Sequence, residues 1–226
     1  MQEYSLIKKN TYVEAVHALQ SQLDAHPSAA HPKFHDGQNE LYRPLTFKEN
    51  IEAKLESFEP ITRPDRTIVA DDEHNALFAS DLSSCTGIAY NVGTTRFKIK
   101  NVCLDLIAFK QSDECYVPVD YDSFDGVELD LSESIYNAPL TRKQFLNHKA
   151  YRVLFDDNSE LMKAYWNITL LMSAKPLLLQ FSAMTLVSRD QLLELVIDNR
   201  NNDSGASGCC DLSTPTPFVR IDPVKP

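Results

Sequence analysis

The residue best suited to covalent chemistry is Cys85, in the segment Ser83-Ser84-Cys85-Thr86-Gly87. A thiol at a turn becomes a nucleophile when a nearby histidine lowers its pKa. His74 and His148 are the partners this would need, and the protein would then be a small cysteine-dependent hydrolase or transferase. A plainer account fits the same residues. Ser83 and Ser84 complete the last turn of a helix, Cys85 is a small buried side chain, and Gly87 ends the helix in the left-handed conformation. The plainer account asks less of the sequence. No G-x-S-x-G elbow is present to support a serine nucleophile.

Carboxylates crowd the stretch VDYDSFDGVELD, where Asp120, Asp122 and Asp125 precede Gly126. Oxygen-rich loops of this kind bind calcium. Measured against the EF-hand pattern, Phe124 takes a ligand position and Gly126 comes one residue late. A calcium-stabilised binding module is thus one reading of Asp120, Asp122 and Asp125. A solvated turn leading into a charged edge strand is the other. A similar alternation, Asn199, Asn201 and Asp203, lacks its glycine and its closing glutamate, and reads as a flexible hairpin-like loop. Cys209 and Cys210 fall in that loop.

His26, His31 and His35 cluster, but Pro27 and Pro32 break the segment and no C-x-x-C or H-E-x-x-H accompanies them. They read as histidines of a solvated linker rather than zinc ligands. The pairs Asp113-Glu114 and Asp156-Asp157 fit helix caps and loops. Six glycines, none in G-x-G-x-x-G or G-x-x-x-x-G-K, leave no phosphate-cradling loop. No cofactor is expected.

The elements that would position these residues are announced by capping boxes, Ser or Thr followed three residues later by Glu or Gln. Thr11 with Glu14, Thr46 with Glu49 and Thr141 with Gln144 fit. Apolar stripes follow each at helical spacing. The first runs through Tyr12, Val16, Leu19 and Leu23. The second runs through Phe47, Ile51, Leu55 and Phe58, closed by Pro60. The third has Phe145, Leu146, Val153 and Leu154. Another helix is expected from Asp71 or Asp72 to Gly87. A further one starts near Ser159 and is apolar nearly all round, as a central core helix would be.

Strands are expected at Val127 to Leu131, with Glu128 and Asp130 facing water, at Arg96 to Ile99 and at Val102 to Phe109. Leu177 to Phe181 and Phe218 to Ile221 are two more. Gln191 to Ile197 suits either a helix or a strand. The stretches 26–44, 59–67 and 199–217 read as irregular. The order of helices, strands, helices, strands favours an α+β fold, with helices segregated from a mostly antiparallel sheet and a helical N-terminal arm. The arm, residues 1–44, would precede a main α+β domain, residues 45–226.

Composition narrows the function classes. The chain has 226 residues, 43% hydrophobic and 24% charged, as a folded domain has. Its 32 acidic and 22 basic residues give a formal charge of -10. With few Lys/Arg runs, that balance disfavours nucleic acid and anionic membranes. The N-terminus has no apolar run of signal-peptide length. The run from Ala164 to Phe181 is too interrupted to span a membrane. Five cysteines, two of them adjacent, make no disulfide framework and fit a reducing, cytoplasmic compartment. With no complete catalytic motif, the expectation is a non-enzymatic binding or assembly protein acting through protein partners or self-assembly, such as a structural subunit of a virion. Its contacts would come from the N-terminal arm or from the segment 199–226.

Overall fold

The computed structural model describes residues 4–10, 45–59, 61–62, 64, 68–69, 82–91, 93–103, 109–112, 115–118, 120–136, 138–172, 177–180, 191–198, 204–211 and 216–221. Twelve strands and four helices lie within these residues. They run β1 (Tyr4–Asn10), α1 (Phe47–Glu56), β2 (Ile61–Thr62), β3 (Ile68–Val69), β4 (Leu82–Tyr90) and β5 (Arg96–Cys103). There follow β6 (Phe109–Ser112), β7 (Cys115–Pro118) and β8 (Val127–Asp130), then a 3-10 turn at Leu131–Glu133. Next come α2 (Arg142–Asn147), α3 (Lys149–Leu154) and α4 (Ser159–Met172). The last strands are β9 (Leu177–Gln180), β10 (Gln191–Asp198), β11 (Ser204–Asp211) and β12 (Thr216–Ile221).

Eight strands form one sheet, ordered β1-β12-β4-β10-β11-β9, with β5 beside β4 and β8 beside β5. All its pairings are antiparallel except β4 with β12 and β9 with β11. The fold is therefore α+β with a mostly antiparallel sheet. Helices pack together on this framework: α1 lies against β4, β10 and α4, while α3 lies against β5 and β8. The short hairpin β6-β7 stands apart in pairing, and β7 touches β10.

Local sequence explains α1 and α2. Thr46 Oγ1 accepts from Glu49 N, and the Glu49 carboxylate accepts from Thr46 N at 2.7 Å. Thr141 and Gln144 repeat the box at the start of α2. Each box satisfies two helix-end N–H groups that would otherwise lack partners. A third is met from the sheet, since Phe47 N donates to Thr86 Oγ1 at 2.9 Å, a buried bond to β4. Phe47, Ile51 and Ala53 are buried on the sheet side of α1. The core continues through Ile88, Tyr90, Phe97 and Ile99 of the sheet, and Phe145, Tyr151 and Phe155 stack edge-on around it.

Several elements differ from the sequence reading. The helix expected to end at Gly87 is, from Leu82 onward, strand β4, whose Thr86, Ile88 and Tyr90 are buried between two antiparallel neighbours. Tertiary pairing overrides the local helix-end signal. Residues 71–81 lie outside the described residues, as do 11–44, including the helix expected after Thr11. The arm instead begins with a strand, as Tyr4–Asn10 pairs with β12. The two strands expected at 96–99 and 102–109 are one strand to Cys103, β5, and a later one, β6. Gln191–Asp198 is a strand. Part of the expected loop at 199–217 is strand β11, held between β10 and β9.

The helix after Thr141 is broken at His148, whose extended backbone (ψ 120°) separates α2 from α3. The helix near Ser159 forms as expected but is not buried all round. Met162, Tyr165, Trp166 and Thr169 turn one face to the core, while Leu170 and Leu171 are about half exposed. After α3, Asp156 and Asp157 both take positive φ (48° and 55°), where few non-glycine residues sit. Main-chain bonds from Asp156 N to Val153 O and from Asp157 N to Arg152 O close that turn.

Candidate functional site

The carboxylate segment is a loop between β7 and β8, and β5 organises it. Lys98 projects from β5 and its Nζ donates to the main-chain oxygens of Tyr121 (2.9 Å) and Asp122 (3.0 Å). The same ammonium lies 4.8 Å from the centre of the Tyr121 ring, a cation–π distance. Tyr121 O also accepts from Phe124 N, and Asp122 N donates to Asp120 Oδ1. Tyr121 and Phe124 are buried and anchor the loop from beneath. Phe124, the residue at a ligand position of the calcium pattern, is thus a core residue.

Gly126 has its own reason. A Cβ there would stand 2.9 Å from Ile99 O and 3.2 Å from Lys98 Cβ, so the chain approaches β5 more closely than any side chain allows. The glycine serves packing of β8 on β5. Asp120, Asp122 and Asp125 are exposed and do not converge. Asp120 caps its own turn, and Asp125 Oδ2 lies 3.8 Å from Lys100 Nζ. Among the described residues no group of three or more His, Cys, Asp or Glu is arranged to hold a metal ion. A lysine ammonium takes the loop carbonyls that a cation would use.

What the loop offers outward is a firm, mixed surface. Asp122, Ser123 and Asp125 are exposed, Val127 at the exit is half exposed, and Glu128 follows on β8. Among the described residues strand β8 pairs on one side, with β5, and forms an edge of the sheet. Arg96 reaches across that pair to Glu128 at 3.4 Å.

The cysteine constellation is placed only in part. Cys85 lies on β4, next to Thr86, where the register with β5 shifts. His74 lies outside the described residues. His148 is 4% exposed and its ring packs edge-on against Tyr136 (4.9 Å) and Tyr151 (5.5 Å). Its Nε2 lies 2.9 Å from Ile135 O. A carbonyl only accepts, so Nε2 carries the proton and Nδ1 is the bare nitrogen. Burial lowers the His148 pKa below the usual histidine value, and the bond to Ile135 opposes that shift in part. These contacts describe a histidine that fastens the helix junction. All five cysteines lie on strands, and Cys209 and Cys210 belong to β11 rather than to a loop.

Sequence reasoning found the loop but missed Lys98, which lies more than twenty residues upstream in a strand of unremarkable composition. The alternation Arg96-Phe97-Lys98-Ile99-Lys100 was the available signal: it puts two lysines on the half-exposed positions of β5.

No protein-family model matches the chain, and no curated protein does. A solved structure, described as "Accommodation of massive sequence variation in Nanoarchaeota by the C-type lectin fold", is similar over 98% of this chain and 98% of that one. The TM-score is 0.55 and the identity 13%, so the likeness is one of fold. No helix among the described residues is long and apolar enough to cross a membrane. The chain shares the C-type lectin fold of that structure.

Proposed function

We propose that the chain is a non-enzymatic binding or assembly protein, acting through protein–protein contacts at the loop Asp120–Val127 and the adjoining edge of β8. The observation that carries this is the likeness of fold, over nearly the whole of both chains, to a structure in which the C-type lectin fold accommodates massive sequence variation. Such a fold keeps its folding determinants in the core and leaves the surface to recognition. The core here is built from buried aromatic and aliphatic residues, and the loop's outward residues take little part in it.

Lys98 favours this surface as a contact site. A loop fixed before binding loses less conformational freedom on binding, which raises affinity without new contacts. Asp122, Asp125 and Glu128 around half-exposed Val127 favour a partner surface with Lys or Arg around an apolar spot. A structural subunit of a larger complex, such as a virion, is one form of this function.

Native mass spectrometry of the protein from its own source tests the proposal. The expected result is a defined complex larger than one chain, reduced to single chains by the double variant Asp125→Lys, Val127→Asp. A single chain at every concentration, or a complex indifferent to both substitutions, overturns it.

A further inference from the structure

His148 occupies a junction where three pieces of chain meet. Its backbone ends α2, donating from N to Phe145 O at 3.1 Å, and begins α3, accepting from Arg152 N at 3.0 Å. Its side chain reaches to the segment after the 3-10 turn and binds Ile135 O. Tyr136, on that segment, stands edge-on to the imidazole and edge-on to Phe97 of β5 at 5.9 Å. Phe97 is fully buried. The imidazole therefore holds in place the segment that covers one end of the core.

Burial favours the neutral ring. With Nε2–H given to Ile135, a second proton must go to Nδ1, which is buried and has no hydrogen-bond partner among the described residues. The charged and titratable groups of the packed elements offer it no relief. On the 3-10 turn Glu133 is paired with Lys149 of α3 at 2.7 Å. Arg152 of α3 is paired with Asp157 at 2.6 Å. Arg142 and Lys143 of α2 are exposed and cationic. Tyr136 and Tyr151 bring neutral aromatic rings, steeply inclined to the imidazole, rather than carboxylates. His148 sits at the C-terminus of α2 and the N-terminus of α3 together, and the opposite partial charges of the two helix ends offset one another.

We propose that His148 is an acid-released latch: a proton on Nδ1 creates a charge in a buried position, and although Nε2–H still donates to Ile135, the cost of that charge is relieved when the segment 131–136 detaches into water, which uncovers Phe97. The direction follows from linkage. A buried histidine that resists protonation binds fewer protons folded than unfolded. The latch is fully closed above the ordinary histidine pKa of 6.5 and weakens as pH falls from there through the lower folded value. The apolar surface so uncovered is available in acid and hidden at neutral pH.

Hydrogen exchange of the peptide 131–140 is the test, compared at about pH 7.5 and about pH 5 after correction for the intrinsic rate. In the native chain the opening equilibrium should rise by up to about tenfold per pH unit below the histidine range. In His148→Gln, whose amide can still donate to Ile135 O, it should not change with pH. NMR titration of the His148 ring in the unaltered chain is the second measurement, and should place its pKa below 6.5. Protection of 131–140 that is the same at both pH values, an equal change in His148→Gln, or a His148 pKa at or above 6.5 would each overturn the latch. If His148→Gln does not fold, the exchange and the titration of the native chain decide it.

Discussion

Lys98 holds Tyr121 twice, with Nζ 2.9 Å from its main-chain oxygen and 4.8 Å from the centre of its ring. One side chain on β5 thereby fixes both the path of the following loop and the aromatic residue that anchors it. Removing the ammonium while keeping the aliphatic stem isolates this effect. Lys98→Met should lower stability by about 1–3 kcal/mol, the scale of losing hydrogen bonds from a charged donor. Urea unfolding measures the loss, and limited proteolysis should show earlier cleavage between 120 and 126.

Calcium at about 5 mM should leave the melting temperature unchanged, because a ligand that does not bind the native state cannot stabilise it. Asp120 accepts from Asp122 N and Asp125 lies beside Lys100, and the main-chain oxygens of Tyr121 and Asp122 accept from Lys98. A calcium-dependent rise in scanning calorimetry, abolished by Asp122→Asn, would show that the three do converge on a cation.

Thr86 joins the sheet to α1 through one buried bond, Phe47 N to Thr86 Oγ1. Thr86→Val keeps the shape and removes the acceptor. It should cost about 1–3 kcal/mol, the desolvation penalty of a buried N–H left alone. Thr86→Ser, which keeps the oxygen, should lose less than the valine variant in the same denaturation experiment.

Asp157 is held at φ 55°, and its side chain pairs with exposed Arg152. Replacing it by Gly or by Ala removes the same ion pair, so the difference between the two variants reports the backbone alone. Asp157→Gly should be more stable than Asp157→Ala by about 1 kcal/mol, since only glycine takes the left-handed region freely. Paired thermal melts give that difference directly.

The features legible in the sequence are those whose cause lies within a few residues. The boxes at Thr46 and Thr141 are closed by side chains three residues on, and both form. Strand β11 shows the opposite case. Ser204–Asp211 reads as a loop by composition, and its extended form comes from β10 on one side and β9 on the other. Gly87 reads as a helix end because a lone glycine after a polar turn resembles one, yet it pairs with Lys100 and Glu194 in mid-sheet. At the candidate site the carboxylate loop was visible, whereas Lys98 was hidden by its distance along the chain. His148 was noticed as a base, and its actual surroundings, Ile135 and two tyrosines, are brought to it only by folding.

The pairing of β1 with β12, Tyr4 opposite Ile221, also sets the order in which the protein can be made. β1 leaves the ribosome well before its partner, which follows more than two hundred residues later. Until then the early strand has an open edge, the state in which strands aggregate or meet a chaperone. Closing so long a loop gains its contacts only after its entropy is lost, so this pairing belongs at the end of folding.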